Sequence, residues 1–339
     1  MKKHVNIPIF IPHYGCPNAC VFCNQKKITG KPCFEKEAVI AEIDQALSSI
    51  DPAKTDIEIA FFGGSFTAIP RNEMLSLLSI SDLYINAKKI NSVRLSTRPD
   101  AINEEILDIL SSHGVKTIEL GLQSFSDKVL SAAKRGHTAL DSEKSCRLIK
   151  ECGFSLIGQM MVGLPSSTLE DELYTAKKIC ELGCDGARIY PTVVFPDTEL
   201  DKMMCDGIYN KLSLDDAVVR TAEILEVFIN NNVPVIRIGL CSNETLTHDK
   251  YAENYHPSVG ELAINRYYLK KMTALLSDYD GTEGANAVFS LPKGKISQAV
   301  GQKRSNVLAL KEAFKLKNIN FKEDASLSSF DISVTVMKA

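Results

Sequence analysis

Three cysteines are clustered near the start of the chain, in the segment PHYGCPNACVFCNQ. Cys16, Cys20 and Cys23 are separated by three and then two residues, and Pro17 within the run indicates a loop rather than a helix or a strand. A buried cysteine often serves only as a small apolar side chain, but three thiols in one short loop are typical of a metal site. This loop is therefore the first candidate for chemistry.

Zinc and a 4Fe–4S cluster place different demands on the three thiols. A structural zinc site is closed and four-coordinate, so it would need a fourth ligand, for which His13 and Cys33 are available. A 4Fe–4S cluster is usually held by four thiolates, and with only three of them one iron would stay open to a ligand supplied by a cosubstrate. Both sites are compatible with the spacing of the three cysteines.

The rest of the chain alternates between strand and helix patterns. Amphipathic stretches of helical period, several of which end in glycine, separate seven short apolar runs. Those runs predict strands at residues 4–12, 56–64, 92–97, 115–122, 154–163, 186–194 and 233–239. The alternation predicts an α/β fold with a parallel sheet covered by helices, either doubly wound or a complete or partial (β/α) barrel. In both folds, chemistry takes place at the carboxyl ends of the strands.

Composition excludes several classes of protein. The chain has 339 residues, of which 45% are hydrophobic, enough for a sizeable core. It has no apolar run of membrane-spanning length and no signal-peptide pattern, so we expect a cytoplasmic protein without membrane contact. Its ten cysteines should therefore be reduced. No second tight triplet occurs, and we expect core thiols at Cys146, Cys152, Cys180 and Cys184.

Glycine and polar residues follow the predicted strands, where a site would lie. Gly63, Gly64 and Ser65 follow the second strand, and a Gly-Gly pair allows close approach of the backbone to a ligand. Glu119 lies in an otherwise apolar strand. Because both faces of a parallel strand are covered, Glu119 should be buried and paired in a polar cavity. Further polar side chains follow the third and fourth strands, at Thr97, Arg98, Gln123, Arg135 and His137.

Several of these segments occur, in the same order, in one family. LSTRPD, IELGLQSF, AAKRGHT, GQMMVGLP and RIYPTVV resemble the radical SAM (S-adenosylmethionine) domain of the elongator catalytic subunit, a family that modifies the wobble uridine of tRNA. They resemble more loosely that of oxygen-independent coproporphyrinogen oxidase. The three-cysteine loop, with Phe22 before the last cysteine, is similar to the superfamily signature. The resemblance extends from residue 5 to residue 240.

The resemblance implies a fold and a set of roles. The fold would be a partial (β/α) TIM-type barrel of about six βα units. Cys16, Cys20 and Cys23 would be the catalytic, metal-binding residues that hold a 4Fe–4S cluster, with SAM on the open iron. Gln123 would contact the SAM ribose, Arg135 its carboxylate, and the strand end at 160–162 its adenine. The full set of SAM-binding residues would be Phe22, Gly63, Gly64, Ser65, Thr97, Arg98, Gln123, Arg135, Met161 and Val162.

The segment from Gly63 to Ser65 departs from the family pattern. In the family, a Gly-Gly-Glu-like segment at this place binds the amino group of SAM, whereas here Ser65 replaces the carboxylate. The resemblance therefore implies that backbone or hydroxyl groups would contact the amine.

The resemblance also implies an activity. The cluster would cleave SAM reductively, and the resulting 5′-deoxyadenosyl radical would abstract hydrogen from RNA, in particular tRNA, near Glu119, His137 and Tyr190. No acetyltransferase-like domain is recognisable, which argues against the acetyl-CoA-dependent reaction of the elongator family. The alternative substrate is a small metabolite or a porphyrin, although Gln25 stands where porphyrinogen oxidases have a fourth cysteine. Either reaction would need a reductant such as ferredoxin or flavodoxin.

The C-terminal part of the chain differs from the rest in its charge and in its predicted fold. We predict a barrel over 1–240, an extension and linker helix over 241–284, and a small basic KH-like domain over 285–339. Residues 293–322 hold eight lysines and arginines against one acidic residue, although the whole chain carries −3. A turn at Gly301, Lys303 and Arg304 is similar to the GXXG loop of KH domains and predicts RNA contact. The alternatives are a solvated cationic face or a protein-interaction module.

Overall fold

The computed structural model describes residues 3–11, 16, 20–23, 35–240 and 255–337. His13, Gln25 and Cys33, which bear on the zinc and porphyrin alternatives, lie outside the described residues. The chain divides into two compact units, residues 1–211 with 233–236, and residues 212–232 with 237–339. These units group residues by packing, and the domain boundaries at 240 and 285 stay a prediction.

Seven strands form one sheet whose spatial order is the order of the sequence. The pairs from β1 to β6 are parallel. The strands are β1 Lys3–Ile11, β2 Thr55–Gly63, β3 Ser92–Thr97, β4 Val115–Gln123, β5 Ser155–Val162, β6 Gly186–Pro191 and β7 Val235–Ile238. All seven occur where the sequence predicts them, because each is an apolar run with turn signals at its ends.

The sheet is a curled half-barrel and not a doubly wound sheet. A doubly wound sheet reverses its strand order at a switch point, and this order has no reversal. The sheet also curls enough for Arg188 on β6 to lie over the ring of Phe62 on β2, at 5.3 Å from the ring centroid. The predicted partial (β/α) barrel is confirmed.

Helices cover the convex face of the sheet in the first unit. They are α1 Lys36–Leu47, α2 Arg71–Asn86, α3 Glu104–Ser112, α4 Asp127–Ala132, α5 Ala139–Glu151, α6 Leu169–Glu181 and α7 Glu199–Cys205. Capping boxes of Thr138 with Asp141 and of Thr168 with Asp171 fix the start of α5 and α6. Both helices therefore begin at set points after the loops that follow β4 and β5.

The two faces of the sheet differ in chemistry. On β2, Ile57, Ile59 and Phe61 alternate with Glu58 and are fully buried, so they form the core on the helix side. Glu58 and its same-face neighbours on the other strands line the concave side, which is polar. Because successive side chains alternate between faces, one strand supplies both a core and a site.

The second unit contains the basic segment. Its elements are α8 Leu214–Asn230, α9 Val259–Ser277, β8 Asn286–Leu291, α10 Ile296–Val300, α11 Ser305–Phe314, β9 Asn318–Glu323 and β10 Ser333–Met337. The strands form a mixed sheet in the order β10-β8-β9, with β8 parallel to β9 and antiparallel to β10. The KH resemblance stays a prediction. Among the described helices, none is long and apolar enough to cross a membrane.

Candidate functional site

The described part of the cysteine loop is fastened to two helices by backbone hydrogen bonds. Val21 donates from its amide to the carbonyl of Ala133, just after α4, at 3.2 Å, and accepts at 2.8 Å from the amide of Leu200 in α7. The amide of Cys23 donates to the carbonyl of Cys20 at 3.0 Å, which closes a turn. The loop is thus positioned by helices that follow β4 and β6.

Phe22 joins the cysteine loop to the apolar core. Its half-buried ring packs against two groups of side chains, one next to α4 and one next to α7. The first group is Val129, Ala133 and Leu164 with Met161, and the second is Val21, Val194, Leu200 and Tyr209 with Met203 and Met204. The aromatic residue of the motif therefore anchors the loop and lies beside Met161, a predicted adenine contact.

Two cysteine sulfurs contact side chains that are distant in the sequence, one after β2 and one after α4. Sγ of Cys16 lies 3.3 Å from the hydroxyl of Ser65, after β2. Sγ of Cys20 accepts a hydrogen bond from Nη1 of Arg135 at 3.2 Å, in the loop after α4. The structure therefore brings together residues that the sequence separates by 49 and by 115 positions.

The Gly-Gly segment after β2 requires a glycine at its first position. Gly63 has φ +109°, and a Cβ there would lie 2.5 Å from the carbonyl oxygen of Ile11 on β1. A side chain would push β2 away from β1 at the point where both strands end. Gly63 thus lets the chain turn so that buried Ser65 faces the cysteine loop.

The end of β4 is irregular where the SAM ribose contact is predicted. The β4–β5 register shifts between Gly121 and Gln123, and Gln123 has the left-handed φ of +65°. Its side chain is buried, and its Oε1 atom has no hydrogen-bond partner among the described residues. A buried amide oxygen left without a donor is costly unless a ligand supplies one, so Gln123 is a suitable acceptor site.

The polar groups of Thr97 and Arg98 are engaged within the protein. The hydroxyl of Thr97 lies 2.6 Å from that of Thr67. Arg98 is buried, and it donates from Nε to Asp100 and from Nη2 to the carbonyl of Arg135, both at 2.5 Å. Burial alone would lower the pKa of Arg98, but Asp100 outweighs it and the pKa is raised, so the guanidinium stays charged. Both residues support Arg135 and the strand end, and a direct SAM contact by them stays a prediction.

His137 is a buried neutral imidazole beside this cluster of arginines. Burial, and then the positive charge of Arg135, lower the pKa of His137 to about 4. Its Nε2 atom lies 3.4 Å from the carbonyl of Leu122, and its Nδ1 atom has no partner in the described part of the chain. Gln123 and His137 therefore present two unsatisfied acceptors at the end of β4.

This lowered pKa predicts a loss of stability in weak acid. The folded state disfavours imidazolium, so the contribution of His137 is complete above its unfolded pKa of 6.5 and is lost as the pH falls towards 4. The difference in unfolding free energy between wild type and His137→Gln should change by about 3 kcal/mol over this window. Urea unfolding of the cluster-free protein at several pH values measures it. A constant difference would contradict the neutral, buried state.

Two side chains hydrogen-bond to the backbone at the end of β5, directly after the predicted adenine contacts. Gly163 follows Met161 and Val162, and its amide donates to the buried carboxylate of Glu172 at 2.7 Å. Its carbonyl accepts from the hydroxyl of Tyr209 at 2.7 Å. This strand end is therefore rigid, which suits a surface on which a planar base rests.

A chain of ion pairs crosses the concave side of the half-barrel. Oε1 of Glu119 accepts from Nη1 of Arg94 at 2.9 Å and from Nη2 of Arg188 at 2.8 Å. Arg94 also pairs with Glu58 at 2.9 Å, and Arg188 donates to the hydroxyl of Tyr190 at 3.1 Å. The predicted burial and pairing of Glu119 is confirmed. The carboxylate is engaged with two arginines, and Tyr190 lies nearer to the open strand end.

Sequence reasoning missed Glu58, Arg94 and Arg188. Each is a charged residue within a short segment whose other residues predict a buried strand, as in SVRLST and GARIYP. The same signal identified Glu119, so the four could have been grouped as one network. Another prediction was wrong in part: Cys146 and Cys184 are buried, but Cys152 is exposed at the end of α5.

The basic turn of the second unit, Gly301–Arg304, has a constrained backbone. Gly301 has φ +77°, and a Cβ there would lie 2.6 Å from the hydroxyl of Ser305. Lys303 and Arg304 are both exposed with left-handed φ values of +50° and +62°. Two consecutive non-glycine residues in this region are uncommon, and they place two cationic side chains directly before α11.

The residues at the strand ends fit a three-thiolate cluster and SAM. Among the described residues, no three Cys, His, Asp or Glu side chains converge as ligands of one metal ion. A 4Fe–4S cluster does not require such convergence, because its thiolates bind different irons. The unsatisfied acceptors of Gln123 and His137 match the hydroxyl donors of a ribose, and they lie next to Arg135, which contacts Cys20.

Comparison with known families agrees with this geometry. The sequence matches the Radical SAM superfamily over residues 10–179 and the Radical_SAM C-terminal domain over residues 184–270. The first match covers half of the chain and includes the cysteine loop and the ends of β2 to β5.

Three curated relatives are similar to part of this chain. An uncharacterized protein of Methanocaldococcus jannaschii is 28% identical over 66% of this chain and 72% of its own length. Human Elongator complex protein 3 is 26% identical over 63% of this chain and 47% of its own. The tRNA uridine(34) acetyltransferase of M. jannaschii is 30% identical over 52% and 36%. The chain thus spans about half, or less, of the length of these last two relatives.

A solved structure supports the fold. The archaeal Methanocaldococcus infernus Elp3, with an N-terminal deletion, superposes with a TM-score of 0.60 at 19% identity, covering 80% of this chain and 64% of that one. At this identity the likeness concerns the fold alone. The family match over residues 10–179 shows that the chain belongs to the radical SAM superfamily, whose enzymes use a 4Fe–4S cluster and S-adenosylmethionine.

Proposed function

We propose that this radical SAM enzyme modifies RNA, with tRNA as its substrate. The observation that carries the proposal is the exposed basic turn, in which Lys303 and Arg304 precede the amino terminus of α11. Helix amino termini and cationic side chains both bind phosphate. Relatives named as a tRNA uridine(34) acetyltransferase and as Elongator complex protein 3 support an RNA substrate.

Different residues at the strand ends would bind the cluster and the parts of SAM. Cys16, Cys20 and Cys23 would hold the cluster, which when bound supplies the one-electron reductive cleavage of SAM. Gln123 and His137 would accept hydrogen bonds from the ribose, and the strand end at Met161 and Val162 would carry the adenine. A one-electron reductant such as ferredoxin or flavodoxin would supply the electron.

The substrate would enter on the concave side of the half-barrel. There, the two carboxylates of Glu58 and Glu119 balance the two guanidinium charges of Arg94 and Arg188. The paired network therefore has no net charge, and it would orient a polar group without attracting bulk anions. Tyr190 accepts a hydrogen bond from Arg188, which leaves its own hydroxyl proton available to a substrate acceptor. Tyr190 is therefore the proposed substrate contact, and Glu119 would act through Arg188 to position it.

Charge reversal in the basic turn tests the RNA substrate. Affinity for tRNA should fall as salt rises, and the Lys303→Glu, Arg304→Glu double variant should reduce the slope of log affinity against log salt by about 1 to 2, because two phosphate contacts are lost. Filter binding or fluorescence anisotropy across a salt series measures this slope. SAM cleavage in the absence of RNA should not change, because the cluster loop belongs to the other unit.

The matched control has the same change of charge elsewhere. Lys144→Glu with Lys177→Glu alters two exposed lysines of the first unit and should leave the slope unchanged. If both double variants bind tRNA like the wild type, the basic turn does not bind RNA, and a metabolite or porphyrin substrate becomes the better hypothesis.

A further inference from the structure

Two of the three cluster thiols have hydrogen-bond donors aimed at their sulfurs. Sγ of Cys20 accepts from Nη1 of Arg135 at 3.2 Å, and Sγ of Cys16 lies 3.3 Å from the hydroxyl of Ser65. A cysteine that ligates iron is a thiolate and can only accept, so Ser65 must then be the donor. Both sulfurs would therefore be stabilised in their charged form.

The guanidinium of Arg135 is held in place by several contacts. Its Nη2 atom donates to the carbonyl of Gly121 at 2.8 Å, and its own carbonyl accepts from Arg98. Arg98 is in turn fixed by Asp100. The side chain of Arg135 is buried, so its charge acts on Cys20 with little screening by water.

The position of Ser65 is also fixed by its surroundings. It is buried, and its carbonyl accepts from the amide of Ala68 at 3.0 Å in the short 3₁₀ turn Phe66–Ala68. The sharp turn at Gly63 directs it back towards the loop. A carboxylate at this position, as in the Gly-Gly-Glu pattern, could not donate to a thiolate and would repel it. The substitution by serine thus converts a repulsive neighbour into a donor.

These contacts have a direct consequence for electron uptake. Reduction of a 4Fe–4S cluster adds one negative charge, part of which resides on its sulfur ligands. Hydrogen bonds to those sulfurs, and a nearby positive charge, favour the reduced state and raise the reduction potential. We propose that Ser65 and Arg135 tune the cluster in this way, through Cys16 and Cys20. Both are positioning residues in this role.

The potential of the reconstituted full-length protein tests the proposal without any measurement of turnover. In the absence of SAM, the electron paramagnetic resonance signal of the reduced cluster is followed against solution potential. Ser65→Ala should shift the midpoint to more negative potential, and Arg135→Gln should shift it further, because charge and donor are both lost. Arg135→Lys, which keeps the charge, should lie between Arg135→Gln and the wild type.

Ser79→Ala provides the matched control, because it removes an exposed hydroxyl on α2, which donates to the carbonyl of Leu75 in the same helix. Its midpoint should equal that of the wild type. If Arg135→Gln does not retain iron, the midpoint potential of Ser65→Ala decides whether the proposal holds, since Ser65→Ala removes only a hydroxyl group. A Ser65→Ala protein with full iron content and the wild-type midpoint overturns the proposal.

Discussion

Replacement of Cys16, Cys20 or Cys23 by alanine should abolish the reductive cleavage of SAM. Each change removes one of the three thiolates that we propose as the ligands of the cluster, and a cluster left with two protein ligands should not survive purification. We expect the iron content to fall from about four per chain to near zero. Iron analysis and chromatographic detection of 5′-deoxyadenosine and methionine after reduction measure both effects.

Cysteines outside the loop serve as controls for this result. Cys180→Ala and Cys152→Ala alter a half-buried and an exposed thiol, and both variants should retain iron and cleave SAM like the wild type. Equal loss in Cys180→Ala would place the cluster elsewhere. Full iron content in Cys20→Ala would exclude the three-thiolate loop as its site.

Replacement of Glu119 by leucine should destabilise the protein by about 3 to 5 kcal/mol, because it leaves two largely buried arginines, each with 12% of its side chain exposed, without their shared carboxylate. Arg94 would keep Glu58 as a partner, but Arg188 would retain, among the described residues, only the hydroxyl of Tyr190 and the ring of Phe62. Urea unfolding measures the loss.

Two further variants separate this loss from a general effect of lost charge. Glu105→Gln breaks an exposed pair with Arg71 and should cost less than about 1 kcal/mol. Adding Arg188→Met to Glu119→Leu should recover part of the stability, because it removes the uncompensated, largely buried charge. A Glu119→Leu protein as stable as Glu105→Gln would show that water reaches the network.

The order of the strands and helices, and the chemistry of the cysteine loop, could be predicted from the amino-acid sequence. Strand and helix periodicity are local properties, so all seven strands of the sheet could be read from apolar runs and turn signals. The cysteine spacing is local as well, and it limited the site to zinc or a cluster. The order of motifs after it was enough to place the chain in its superfamily, which the family match confirmed.

Contacts between side chains of distant segments depend on the three-dimensional fold and could not be predicted. Arg188 and Phe62 lie on strands four places apart in the sheet, and they touch because the sheet curls. Periodicity assigns a residue to one face of a strand but contains no information on the curvature of the sheet. The sequence could therefore predict that Glu119 is buried and paired, but not that its partners are two arginines. The contacts of Ser65 with Cys16 and of Arg135 with Cys20 depend likewise on loops from separate strands that converge at one edge. Such contacts are set by how the strands pack together, which no single segment of the sequence specifies.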